Sequence, residues 1–292
     1  MNAKNSRVAV VTGASRGVGK GIAIALGAAG MTVYLSGRSA TQSSSQLRGQ
    51  TLPGSLAETA EAVTRAGGRG IVVACDHRDD EQVRELFARV EREQGRLDLL
   101  VNNATYIHEN LIDPGPFWQK PLEMVDILDI GLRSSYVASY FAAPLLVKNG
   151  HGLIAFVSSF GAGCYMHGPA YGAQKAGVDK FAADMAIDLE DTGVAAVSLW
   201  LGPQRTERTA IAGAERADQY EEFLAMAETP EFNGRVINAL LNDPELAARS
   251  GQTLITAELA AGYGITEDAG RQPPSYRDML GAPRVQHPAR VI

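Results

Sequence analysis

Short runs of consecutive apolar residues alternate along this chain with longer stretches in which apolar positions recur every three or four residues. The runs of strand length are 8–12, 32–36, 70–75, 97–101, 153–157, 194–200 and 252–255. Uninterrupted apolar runs rich in β-branched residues suit strands buried on both faces, and the helical stretches between them supply the crossovers that parallel strands need. The helical spacing predicts helices near 17–29, 55–67, 79–94, 121–148 and 170–192, the last carrying Val178, Phe181, Met185 and Leu189 on one stripe. Together these predict an α/β fold: one doubly wound parallel sheet of about seven strands with helices on both faces.

Two segments break the rhythm. Residues 39–55 are rich in Ser, Thr and Gln and read as a long polar loop after the second strand. Residues 203–242 are helical in pattern but interrupted by Pro230 and Gly234, as a flap over a site would be. Beyond residue 260 the prolines at 273, 274, 283 and 288 predict an irregular extension, 261–292, on a core of about 5–260. No linker divides the middle of the chain, so a single domain is expected.

Composition narrows the function. The chain has 292 residues, 45% of them hydrophobic and 21% charged, with a net charge of -6 and no basic block, which argues against nucleic acid as a partner. No apolar run approaches the roughly 20 residues of a membrane helix, and no membrane partner is expected. Cys75 and Cys164 are too few for a disulfide framework, and the N-terminal residues lack a signal-peptide core, so a cytoplasmic location is expected. The five histidines form no cluster with metal-ligand spacing, and no metal is expected.

The chemistry gathers at two places. Thr12-Gly-Ala-Ser-Arg-Gly-Val-Gly19 follows the first strand and opens a helix, where glycine lets the backbone approach a pyrophosphate and the helix N-terminus favours its charge. At the end of the second strand an acidic residue would bond a ribose 2′-hydroxyl and repel a 2′-phosphate; the residues there are Ser36-Gly37-Arg38. Arg38 and Arg16 are placed to clamp a 2′-phosphate, which favours NADP(H) over NAD(H); the competing reading makes both plain surface. Farther on, Tyr171 and Lys175 stand one helical turn apart on the same face. A fixed cation beside a phenol favours the phenolate, so the pair is a candidate acid/base device, although Tyr-x-x-x-Lys alone is a weak motif.

Thr12-Gly-x-x-x-Gly-x-Gly19, Asn102-Asn-Ala104, Ser158-Ser159 and Tyr171-x-x-x-Lys175, in this order and context, resemble the short-chain dehydrogenase/reductase family, which has a Rossmann-type fold. Ile130-Gly-Leu-Arg133, Val197-Ser-Leu-Trp200 and the run from Tyr263 to Arg271 look like the branch of dehydrogenase/reductase member 1-like proteins. The resemblance implies an oxidoreductase that interconverts a carbonyl and an alcohol on a small molecule, and a homodimer or homotetramer built through the helices at 121–148 and 170–192. It implies Tyr171 as general acid/base, Lys175 holding the nicotinamide ribose, and a serine bonding the substrate oxygen. Cofactor contacts are implied at Gly13, Ser15, Arg16, Val18, Gly19, Arg38, Asp76, His77, Asn103, Ala104, Tyr171, Lys175 and Thr206.

The chain departs from the family pattern in three places. The family's fourth catalytic residue is an Asn after the fourth strand; the matching position reads as Asp129, either in that role or as helix surface. Counting back from Tyr171 points to Ser158 as the serine, whereas counting along the strand from Gly152 points to Ser159, which is preferred because strand geometry is the firmer ruler. Leu201-Gly-Pro203 inverts the usual Pro-Gly order. Tyr106, Ile107, His108, Phe160, Cys164, Tyr165, Met166, His167 and Gln204 are candidates for the substrate pocket, beneath a flap at 207–235. Two competing functions stay open: a dinucleotide-binding sensor or scaffold without turnover, and a redox-neutral isomerase or dehydratase.

Overall fold

The computed structural model describes residues 6–43, 45–215 and 217–291; positions 44 and 216, in the expected loop and flap, lie outside the described residues. The elements run β1 (Val8–Thr12), α1 (Gly17–Ala28), β2 (Thr32–Gly37), β3 (Gln46–Leu47), β4 (Gln50–Thr51), α2 (Leu56–Arg65), β5 (Arg69–Ala74), α3 (Asp80–Gln94) and β6 (Leu99–Asn102). They continue with α4 (Ser134–Asn149), β7 (Gly152–Ser159), α5 (Pro169–Asp188), β8 (Val194–Leu201), α6 (Glu207–Glu215), α7 (Ala217–Met226) and α8 (Pro230–Leu241). The last are α9 (Leu246–Arg249), β9 (Thr253–Ile255), α10 (Thr256–Tyr263) and α11 (Arg277–Leu280).

Seven strands form one sheet in the order β5-β2-β1-β6-β7-β8-β9, every neighbouring pair parallel. Alternate residues of each strand feed opposite faces, as the period of two demands. Ala9 and Val11 pack with Ile22 and Leu26 of α1, Val63 of α2 and Val236 of α8. Val8 and Val10 pack on the other side with Leu86 of α3, Ala138 of α4 and Val178 of α5. The direction of winding reverses between β1 and β6, so the carboxyl ends of these strands, Thr12 and Asn102, open the crevice where such sheets bind ligands.

The structure departs from the pattern in places that matter for the site. Gly234 does not interrupt its helix: a Cβ there would stand 2.6 Å from Ala25 Cβ and 2.8 Å from Ile22 Cα, so glycine is what lets α8 press against α1. Pro230 begins α8 instead of breaking it, with the Thr229 hydroxyl capping the Phe232 N–H. The helix expected over 121–148 is composite: a short 3-10 turn at Leu122–Val125, a π-helical segment at Leu128–Arg133, then α4. The polar loop carries the small antiparallel pair β3–β4. The extension after residue 260 holds the end of α10, a 3-10 turn at Asp268–Gly270 and the single turn α11 within otherwise irregular chain. Among the described residues no helix is long and apolar enough to cross a membrane.

Candidate active site

β7 ends at Ser159 and α5 begins ten residues later at Pro169, whose fixed φ suits the first helical position. The turn between them brings Ser159 Oγ to 2.9 Å from Tyr171 OH. Lys175 lies one turn on, its Nζ 5.5 Å from the Tyr171 ring centroid and donating to the Val157 carbonyl at 3.2 Å. Ser158 is buried, with its hydroxyl donating to the Lys175 carbonyl at 3.3 Å. Both serines thus meet α5, and Ser159, at the end of the strand, is the one that reaches the phenol.

Burial sets the acid/base properties of the pair. It raises the Tyr171 pKa above the ordinary phenol value, the Ser159 hydrogen bond working the other way, so the ring is a protonated donor at neutral pH. Burial also lowers the Lys175 pKa to about 8, opposed by the carboxylate of Asp179. The lowering expected from the lysine does not appear here, where burial moves the phenol upward. Asp179 is buried one turn beyond Lys175 and accepts from Ser198 Oγ (2.6 Å) and Trp200 Nε1 (2.8 Å). The sequence signal for it is an acid four residues after the lysine, inside an apolar stripe.

The glycine turn is shaped by contact. Gly13 and Gly17 have φ of 68° and 54°, in the left-handed region, and a Cβ on Gly19 would sit 2.5 Å from the Gly13 carbonyl oxygen. Thr12 Oγ1 accepts from the N–H groups of Asn103 and Ala104, each at 2.9 Å, and Asn103 Nδ2 donates to the carbonyls of Thr12 (2.8 Å) and Gly13 (3.1 Å). Asn103 therefore braces the turn with its side chain. Ser15 and Val18 are half-buried beside it. Arg16 is held by the polar loop, donating to the Pro53 carbonyl (3.1 Å) and to Ser43 Oγ (2.8 Å). Its pKa is lowered by burial and by the nearby charge of Arg38. Arg38 is exposed, with no ion pair among the described residues. Between them Ser36 is buried, its hydroxyl 2.9 Å from His77 Nε2, and burial pushes His77 down to about 4. His77 is thus a neutral brace behind the end of β2, while Asp76 accepts from the Arg78 N–H at 3.0 Å.

Not all the expected residues converge. Asp129 is exposed on the outside of the π-helical segment, in the surface position that was one of its two readings. The group this segment turns toward α5 is Gly131, whose carbonyl accepts from Gln174 Nε2 (3.0 Å) and Ser135 Oγ (2.9 Å). Of the pocket candidates, Phe160 is core, its ring tilted against Trp200 at 5.0 Å, and Tyr165 is 83% exposed. The His167 ring meets the Tyr171 ring edge-on at 5.0 Å, and Tyr106 meets His108 at 6.1 Å. Ile107 is at the surface, and Cys164 and Met166 pack beside Phe160 and Trp200. Gln204 is committed to Glu228 Oε2 (2.7 Å) and to Asn233 (3.0 Å). Gly202 precedes Pro203 because a Cβ there would meet Glu228 Oε1 at 2.5 Å. Thr206 lies against Gly17, its methyl 3.5 Å from where a Cβ would be.

A family model described as short chain dehydrogenase matches residues 7–217, the span that holds the glycine turn, Ser159, Tyr171 and Lys175. The chain belongs to the short-chain dehydrogenase/reductase family. It is 38% identical to human "Dehydrogenase/reductase SDR family member 1" over 283 residues, 93% of this chain and 86% of that protein. The mouse counterpart is 39% identical over 92% of this chain and 86% of its own length. A 3-oxoacyl-[acyl-carrier-protein] reductase of Synechocystis is 30% identical, covering 87% of this chain and 96% of that one. A crystal structure of a short chain dehydrogenase from Mycobacterium thermoresistibile superposes with a TM-score of 0.75 at 24% identity, over 94% of this chain and 92% of that one, and shares the fold. Membership makes the chain an oxidoreductase of the dehydrogenase/reductase type, which works with a nicotinamide dinucleotide on a small molecule. The residues present suit such a cofactor: glycine at 13 and 19 lets the turn close tightly on Asn103 and Ala104 at the N-terminus of α1, the kind of helix end that receives a pyrophosphate.

Proposed function

We propose that this protein is an NADP(H)-dependent oxidoreductase that interconverts a carbonyl and an alcohol, with Tyr171 as general acid/base. The observation that carries the reading is the 2.9 Å contact between Ser159 Oγ and Tyr171 OH, with Lys175 buried against the same ring. Two hydroxyls this close form a fork for one substrate oxygen. Tyr171, kept protonated by burial, donates a proton to that oxygen as reduction proceeds and takes it back in the reverse direction. Lys175 is held between the Val157 carbonyl and the field of Asp179, which fixes its ammonium beside the phenol. The nicotinamide supplies the hydride.

The preference for NADP(H) is supported by the end of β2, where Ser36-Gly37-Arg38 holds no carboxylate and Arg38, without an ion pair among the described residues, stands close enough to depress Arg16. Exposed Tyr136 and Tyr140 on α4 support association through α4 and α5. Two free cysteines suit a reducing compartment such as the cytoplasm.

The test is NADPH oxidation with a panel of aldehydes, ketones and quinones. Tyr171→Phe is expected to cut kcat by about 10²- to 10⁴-fold with cofactor affinity kept. Wild-type turnover that Tyr171→Phe leaves intact would refute the acid/base role, and binding without turnover would point to a sensor or scaffold. Arg38→Glu is expected to raise the NADPH Kd more than about tenfold while NADH affinity holds; equal losses for both would refute the 2′-phosphate reading.

A further inference from the structure

Helix α1 carries no N-terminal cap of its own. Its N-cap residue, Arg16, makes no side-chain capping bond, and no acidic residue occupies its first turn. An α-helix leaves its first N–H groups unpaired and its N-terminus partly positive, so this end attracts an anion. The anion present comes from the start of the flap, 190 residues away in sequence. The Gly17 N–H donates to Glu207 Oε2 at 2.8 Å, and Lys20 Nζ lies 3.9 Å from Glu207 Oε1. The residues on either side are engaged as well. Thr206 packs on Gly17, and Arg208 Nη2 donates to the Ile107 carbonyl at 3.0 Å.

We infer that Glu207 is a built-in competitor for the cofactor: its carboxylate holds the glycine turn and α1 where the dinucleotide's phosphates bind, and binding the cofactor exchanges this contact for phosphate. Both anions need the same N–H groups and the same positive end, and they repel each other if held there together. Cofactor affinity is therefore set partly by the strength of the Glu207 contact. Because Glu207 is the first residue of α6, its release also frees the leading end of that helix. Cofactor arrival and the position of the first turn of α6 become one event.

The inference rests on the cofactor reading above, and the experiment separates the two. Affinities for NADPH, NADH and inorganic pyrophosphate are measured by fluorescence or calorimetry on wild type, Glu207→Gln and Glu207→Ala, together with thermal stability without ligand. Competition predicts opposite signs: each variant melts lower without ligand, having lost its cap, yet binds each anion about three- to tenfold more tightly. Hydrogen exchange on the unmodified chain gives a second reading, in which amides of 207–215 exchange faster once NADPH is added. Unchanged or weaker binding in both variants, or no faster exchange at 207–215, overturns the inference while leaving the cofactor reading standing. Wild type that binds none of the anions overturns both.

Discussion

Glu228 has no solvent exposure, and one carboxylate oxygen, Oε1, finds no hydrogen-bond partner among the described residues. Burial pushes its pKa up to about 7, with the charge of Glu267 adding to the shift and hydrogen bonds from Gln204 and Asn233 opposing it. Tyr276 of the C-terminal extension faces it across Gly202. A group whose folded pKa lies above its unfolded value near 4.5 stabilises the fold below that value and loses the contribution as pH rises through about 7. Glu228 thus works to lower the melting temperature as pH rises between these limits, and Glu228→Gln is expected to melt progressively higher relative to wild type across that window. His77 acts in the opposite sense: its pKa is lowered from 6.5 to about 4, so its contribution is complete above 6.5 and is lost as pH falls through 4. Melting curves from pH 4 to 8 on the single variants separate the two, and an unchanged slope in Glu228→Gln refutes its assignment. Tyr171 and Lys175 were legible in sequence because both sit on one helix at a known spacing. Glu228 was not, because its environment comes from β8, α8 and the extension together.

At the scale of elements, the turn from β7 into α5 positions the acid/base pair. Its tightest point is Gly161, where a Cβ would stand 2.5 Å from Tyr171 Cε1 and 3.3 Å from Ser159 Oγ. Gly161 has no unusual backbone angle, so the constraint is the Tyr171 ring itself. Gly161→Ala is expected to tilt the phenol away from Ser159 and lower kcat by about 10²-fold, the scale of a 1 Å misplacement, with far-UV circular dichroism retained. Full activity in that variant would show that the ring has room to spare. Most strands and helices were predicted to within a few residues because burial on both faces leaves a continuous apolar run. The π-helical segment at Leu128–Arg133 was not. Its wide turn is fixed by Gln174 reaching Gly131 from another helix, and Asp129 consequently lies on its outer side.

Over the whole molecule, the helical face of α4 and α5 is more apolar than a solvated surface requires. Tyr136 and Tyr140 of α4 and Ile187 of α5 are 51%, 64% and 40% exposed, while α1 and α8 on the other side of the sheet are closely packed. A self-complementary dimer through this face would bury these side chains. Sedimentation velocity is expected to show wild type as a dimer or tetramer, and Tyr140→Glu to shift it toward smaller species. A monomeric wild type at micromolar concentration would refute the association.

By itself the sequence determined the parallel α/β architecture, the glycine turn and the Tyr171–Lys175 pair, because each is encoded by a local repeat: apolar runs, glycines before a helix, a spacing of four. Only the tertiary structure decided which serine faces the phenol, that burial raises the phenol's pKa, and which partners Asp179, Gln174, Glu207 and Glu228 find. These depend on burial and on contacts between residues far apart in the chain. Spacing along a polymer fixes which side chains share a face, whereas electrostatic environment is set by what the fold packs against that face.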